Sequence, residues 1–253
     1  MALALTRPRS ISILGWCRIA VRVSAMLLLF AVCLPPFLLF RLLHLPNPWS
    51  RLFLRGLTWI AGVALTQRGE KVHRGAFLLA NHVSWIDIPA LAGATGTAFV
   101  GHDGLAAMPL LKTLCELNDT VFVARHDRAS VTHQIAAVRT ALSDTGALAI
   151  FPEGTTSDGT GLLPFKSSLI SALEPIPQGI AVQPVLLDYG PEAERIAWIG
   201  EEHGLDNFLR ILARGRPVRL TVHFLEPLRG AALDNRKTIA AAAREALLRA
   251  MPG

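Results

Sequence analysis

The chain has 253 residues, room for one sizeable domain plus an appendage. Apolar residues make up 51%, charged residues only 17%, and there are 3 Cys, which excludes a disordered tail, a collagen-like fibre and a disulfide scaffold. The net charge of +6 is unevenly placed: residues 1–69 hold eight Arg and no acid, leaving 17 basic against 19 acidic residues beyond them. Positive charge interleaved with long apolar runs suits an anionic membrane surface, and the near-neutral remainder argues against nucleic acid.

Residues 1–69 are therefore expected to form a membrane-anchoring segment, and residues 70–253 a separate globular domain. Residues 23–40, VSAMLLLFAVCLPPFLLF, are uncharged and flanked by Arg22 and Arg41. As one helix they would span about 27 Å, near the minimum for a bilayer crossing. Pro35-Pro36 interrupts the stretch, and a second apolar run, 52–65, is broken by Arg55. Two arrangements fit: a kinked transmembrane helix, or a helical hairpin dipping into one leaflet, which the shortness of both runs favours. A cleavable signal peptide fits poorly, because RLLHLPNPWSR follows the apolar run instead of a small-residue cleavage site. Cys17, Cys33 and Cys115 show no zinc-ligand spacing.

From residue 70 the pattern changes. Apolar runs at 76–81, 97–101, 120–124, 147–151, 180–187 and 218–224 read as strands. Ranges 86–94, 104–115, 129–143, 166–173, 205–213 and 233–251 read as helices between them. Near-continuous apolar strands alternating with helices predict an α/β fold with a largely parallel sheet flanked by helices. Functional residues are then expected in loops at the carboxyl ends of strands.

Three polar motifs and one apolar one fall at such places. Asn81-His82-Val83-Ser84-Trp85-Ile86-Asp87 leaves the first of these strands. With His82 in the loop and Asp87 in the first helical turn, the carboxylate could orient the imidazole as a general base. The same letters also read as an S-x-x-D capping box beside a structural histidine. Phe122-Val123-Ala124-Arg125 places a guanidinium at a strand end, suited to a phosphate or to a surface ion pair. Phe151-Pro152-Glu153-Gly154-Thr155-Thr156-Ser157 makes a turn with little side-chain bulk and several polar donors. Val182-Gln183-Pro184-Val185 reads as a core strand.

These four blocks, in this order on one α/β chain, resemble the glycerolipid acyltransferase family, in particular bacterial 1-acylglycerol-3-phosphate acyltransferases. The likeness spans about residues 70–228. It implies that His82 takes the proton of a lysolipid hydroxyl while Asp87 orients it, and that no covalent acyl-enzyme forms. It also implies that Arg125, Glu153, Gly154 and Thr155 position the acceptor's phosphate, with Lys166 beside them. The acyl group would come from acyl-CoA or acyl carrier protein as co-substrate, with no further cofactor and no metal. The expected reaction is acylation of the sn-2 hydroxyl of 1-acyl-glycerol-3-phosphate to phosphatidic acid. The expected place is the inner membrane, with this domain facing the cytoplasm. His102 stands where many relatives have Lys, and FKSSL (165–169) lacks a following Gly, differences that touch the acceptor side. The alternatives are the same transfer onto another lysolipid such as lyso-ornithine lipid, and a non-catalytic lipid-binding membrane protein. A serine lipase is disfavoured because no G-x-S-x-G elbow is present.

Overall fold

The computed structural model describes residues 11–102, 121–123, 142, 146–171 and 176–252. Its first helix, α1 (Ile13–Leu42), begins ten residues before the expected apolar stretch and runs straight through Pro35 and Pro36. Ser12 caps it, accepting a bond from Gly15 N at 3.1 Å. In an apolar setting a chain satisfies its backbone best by staying helical, which lets prolines persist inside such a helix. The second apolar run divides differently from expectation. Only α2 (Trp49–Ile60) is helical, and β1 (Val63–Arg68) follows at once as a strand. Gly62 makes that switch at φ +85°. Phe30 packs on Phe53 and Phe40 on Trp49, so α1 and α2 run antiparallel as a hairpin.

The other strands are β2 (Ala76–Ala80), β3 (Ala98–His102), β4 (Val121–Val123), β5 (Ala147–Ile150), β6 (Ala181–Asp188) and β7 (Val218–Phe224). They form one sheet in the order β1-β7-β6-β2-β5-β3-β4. Every neighbouring pair is parallel except β6 and β7. The largely parallel α/β sheet expected from the apolar runs is thus present. β1 is the difference: it lies within the segment assigned to the anchor, yet it pairs with β7 over its whole length. Its polar letters, Thr66-Gln67-Arg68, are exposed at the sheet's edge and carry no apolar alternation to reveal a strand.

Helices cover the sheet: α3 (Asp87–Thr95), α4 (Ser167–Ile170), α5 (Ala193–Ile196), α6 (Gly204–Leu212) and α7 (Arg236–Ala250). The expected helix 104–115 lies outside the described residues, as does 129–143 apart from Leu142. β2 is buried on both faces. Leu78 and Ala80 join one core with Leu91, Leu187 and Ile211, while Phe77 and Leu79 join another with Ile150, Ile239 and Ala243. A strand apolar on both faces belongs in the middle of a parallel sheet. β2 lies between β6 and β5, with Leu79 opposite Ile150 and Ala80 opposite Val185. The loops that leave these three strands converge at one end of the sheet.

Candidate active site

Register explains the first contact. If Leu79 faces Ile150, three residues further along each strand bring His82 beside Glu153. The His82 amide donates to Glu153 Oε1 at 2.8 Å. The other oxygen, Oε2, accepts from Leu163 N at 2.9 Å. Glu153 is fully buried, so its carboxylate is a clamp on two backbone amides and does not face the site mouth. Burial pushes its carboxyl above the usual range, opposed by those two bonds.

The same turn holds His82 from its other side. Ser157 N and Oγ both donate to the His82 carbonyl, at 2.7 and 3.1 Å. Phe151 stacks on the imidazole with centroids 4.1 Å apart and planes 13° from parallel. Phe99 of β3 backs Phe151 at 5.5 Å. Three residues of the FPEGTTS turn thus fix the backbone and ring plane of one histidine.

Asp87, at the start of α3, fixes the ring's rotation. His82 Nδ1 lies 2.8 Å from Asp87 Oδ2. That oxygen also accepts from Val83 N at 2.6 Å and Ser84 N at 2.9 Å. The bond from Ser84 N is the one an S-x-x-D capping box would return, but α3 begins at Asp87 after Ile86 and Ser84 does not cap it. The carboxylate therefore serves the loop and the His–Asp pair, and no capping box forms. Ser84 Oγ turns away instead, donating to Asn207 Oδ1 at 3.3 Å. No described residue bonds His82 Nε2, and the side chain is 17% exposed. An imidazole tied at Nδ1 to a buried carboxylate, with Nε2 facing outward, can accept a proton there.

The mouth is formed by the remaining residues of the turn. Gly154 adopts φ +70°, and a Cβ there would lie 3.2 Å from Lys166 Nζ. Thr155 and Lys166 are exposed. The structure therefore brings His82, Asp87, Glu153, Gly154, Thr155 and Lys166 together, while Arg125 lies outside the described residues. Among the described residues no group of three or more His, Cys, Asp and Glu is placed to hold a metal ion.

Sequence reasoning missed three supports. Asn81 joins β6, donating to Leu187 O at 3.1 Å and accepting from Leu187 N at 2.7 Å. Trp198 bridges two loops: its amide donates to Val83 O at 2.9 Å, and its carbonyl accepts from Thr156 Oγ1. Tyr189 donates to Asp87 from just beyond β6. Only the pairing of β2 with β6, invisible along the chain, announces that residues near 187 approach this loop.

The acyltransferase family profile matches residues 64–188. A lyso-ornithine lipid O-acyltransferase of Brucella abortus (strain 2308) is 32% identical over 247 residues, covering 90% of this chain and 91% of that protein. A 1-acyl-sn-glycerol-3-phosphate acyltransferase of Neisseria gonorrhoeae is 35% identical over 118 residues, 47% of this chain and 46% of its own. The crystal structure of the 1-acyl-sn-glycerophosphate acyltransferase PlsC from Thermotoga maritima has a similar fold. It matches with a TM-score of 0.65 at 19% identity, covering 93% of this chain and 95% of that one.

Proposed function

The chain belongs to the acyltransferase family and is an O-acyltransferase, and we propose that it acylates the free hydroxyl of a membrane lysolipid. The observation that carries this is the His82–Asp87 pair at 2.8 Å with Nε2 open to the site mouth. The lysolipid hydroxyl gives its proton to His82 Nε2 as its oxygen attacks the thioester carbonyl of acyl-CoA or acyl carrier protein. Asp87 stabilises the imidazolium that results. Collapse of the tetrahedral intermediate expels the thiolate, which takes the proton back from His82, and no acyl-enzyme is needed.

For the acceptor, a lyso-ornithine lipid O-acyltransferase shares 32% identity over 90% of the chain, whereas the likeness to a 1-acyl-sn-glycerophosphate acyltransferase at that coverage is one of fold at 19% identity. The contrast favours lyso-ornithine lipid over the 1-acyl-glycerol-3-phosphate first expected. The glycerol phosphate acceptor remains the second reading, because the Neisseria relative aligns over 118 residues at 35% identity. Both head groups carry an anion, carboxylate in one and phosphate in the other. Lys166 over the Gly154 turn is the described cation placed to meet it, with Thr155 beside it and Glu153 acting from beneath. Arg125 is assigned to the same anion from its position in the F-x-x-R block.

The hairpin supports a site held at a lipid surface. α1 buries a stripe of Gly15, Ile19, Met26, Cys33 and Phe37, while Trp16, Leu27, Leu28, Val32 and Leu39 stay exposed. A helix apolar all round but covered on one stripe needs lipid on the rest. Both ends of the hairpin are fastened to the globular part. Arg22 Nη1 donates to Leu212 O at 2.8 Å before it, and β1 joins the sheet after it. The chain therefore enters and leaves the bilayer on one side, which we take as the cytoplasmic face of the inner membrane.

The test is acyl transfer in mixed micelles with labelled acyl-CoA and acyl carrier protein, offering lyso-ornithine lipid and lysophosphatidic acid in competition. The expected result is acylation of lyso-ornithine lipid in preference, and none by His82→Ala. Exclusive use of lysophosphatidic acid would replace the acceptor, and turnover by His82→Ala would overturn the mechanism.

A further inference from the structure

We propose that Tyr189 is a positioning residue for the reaction, holding Asp87 in the orientation that aims His82 at the acceptor hydroxyl; this rests on the His82–Asp87 reading above. Tyr189 lies directly after β6 and is 3% exposed. Its hydroxyl donates to Asp87 Oδ1 at 2.5 Å. The other oxygen, Oδ2, is the one that takes His82 Nδ1, Val83 N and Ser84 N. Tyr189 thus supplies the donor to the oxygen facing away from His82, on a carboxylate with no exposure to water.

That division of labour has a physical consequence. A carboxylate held at one oxygen can turn about its own axis and exchange its two oxygens, breaking the bond that orients the imidazole. A donor on the far oxygen removes this freedom, and in a dry site it also supplies the partner that a buried anion requires. The ring is locked in turn: the Asp188 carboxylate accepts from Gly190 N at 2.7 Å, closing the turn that points Tyr189 inward. Asp188 faces His223 on β7 at 3.5 Å, so Asp87 is the acid in contact with the phenol. Burial, with the Asp87 charge second, pushes the phenol well above its ordinary value, so the hydroxyl stays a donor at working pH.

Tyr189 is the chain's one tyrosine, so its ionisation can be followed without interference from another. Two measurements on the full chain test the proposal. In Tyr189→Phe, kcat is expected to fall roughly 10- to 100-fold with KM for both substrates within about twofold, since the missing hydroxyl changes orientation and not binding. In Asp87→Asn, the onset of tyrosinate absorbance is expected at lower pH than in the parent, with circular dichroism on the same samples confirming that the fold persists. Unchanged kcat in Tyr189→Phe overturns the proposal, as does an unmoved tyrosinate onset in folded Asp87→Asn. A rise confined to KM, with kcat unchanged, also overturns it, because the residue would then be shaping the binding surface. Turnover by His82→Ala, measured alongside, would remove the underlying dyad instead, so the two failures are separable.

Discussion

Glu153 holds a charge where water does not reach, and the cost shows in its titration. Desolvation raises its carboxyl above the ordinary range, and bonds from His82 N and Leu163 N offset only part of that. The native state therefore keeps the proton at pH values where the unfolded chain has released it. Stability contributed by this group falls as pH rises from the ordinary Glu value through the raised one, and is level above that. The difference in unfolding free energy between the parent and Glu153→Gln, from urea melts at a series of pH values, is expected to decline across that window. A difference that grew with pH would show that the bonds outweigh burial. The substitution also leaves one of two buried amides without its acceptor, at about 1–3 kcal/mol, and loosens the His82 backbone, so activity falls with it. The role of Glu153 was not legible in the letters F-P-E-G, which fit an acceptor-facing carboxylate equally well. The spacing of His82 and Asp87 fitted a capping box beside a structural histidine as well as a catalytic pair, and only the order of the four blocks along the chain singled the pair out. The 2.8 Å contact between them is what the structure adds. Glu153 and Tyr189 reach this loop through strand pairing, and no local pattern records which strands are neighbours.

At the next scale, the membrane hairpin bears directly on the helix that carries Asp87. α2 crosses α3 so closely that a Cβ on Gly93 would lie 2.8 Å from Arg55 Cα and 2.9 Å from Arg55 N. These are backbone atoms, which cannot step aside as a side-chain tip could. The close approach lets Arg51 reach the end of α3, with Nη2 donating to Ala94 O at 2.9 Å and Nε to Gly93 O at 3.4 Å. A cation there satisfies carbonyls that the helix itself leaves open. Gly93→Val is expected to destabilise by about 1–3 kcal/mol, read as a lower melting temperature in detergent, and to reduce kcat by tilting α3 and Asp87 with it. Gly161→Ala, where an added Cβ meets nothing within 4 Å, is the control and should change neither. The strands around this helix were readable to within a residue or so, because buried parallel strands are continuous apolar runs. α1 was not, since Pro35 and Pro36 signal a break in water and lose that meaning against lipid. Nor was β1, whose exposed edge position leaves its letters free to be polar.

At the scale of the molecule, the distribution of charge and the path of the chain together decide how the enzyme meets its substrate. α2 has 12 residues. At about 1.5 Å each it spans about 18 Å, little more than half of a hydrocarbon core of about 30 Å. Its antiparallel partner is the C-terminal half of α1, while the N-terminal half is held to α6 by Arg18 and Arg22 on Ala213 O and Leu212 O. Leu42, Leu43 and Leu45 at the tip are exposed. In the proposed arrangement Arg18 and Arg22, in the first turns of α1, and Arg68, beyond α2, lie with the headgroups of an anionic leaflet. Single cysteines placed in a background free of Cys17, Cys33 and Cys115 test this in inverted membrane vesicles. Ile13→Cys and Gln67→Cys, at exposed positions on either side of the hairpin, are expected to react together with a membrane-impermeant maleimide from the face that carries the domain. Leu43→Cys at the tip is expected to stay unreactive from either face until detergent is added. Labelling of the tip from the opposite face would mean that the hairpin crosses, and the site would then sit above the bilayer instead of at its surface. Protection of the tip from both faces would support the proposed entry and exit on one face, an arrangement that would hold the globular part against a single leaflet and let a lysolipid hydroxyl reach His82 while its acyl chain stays in the membrane.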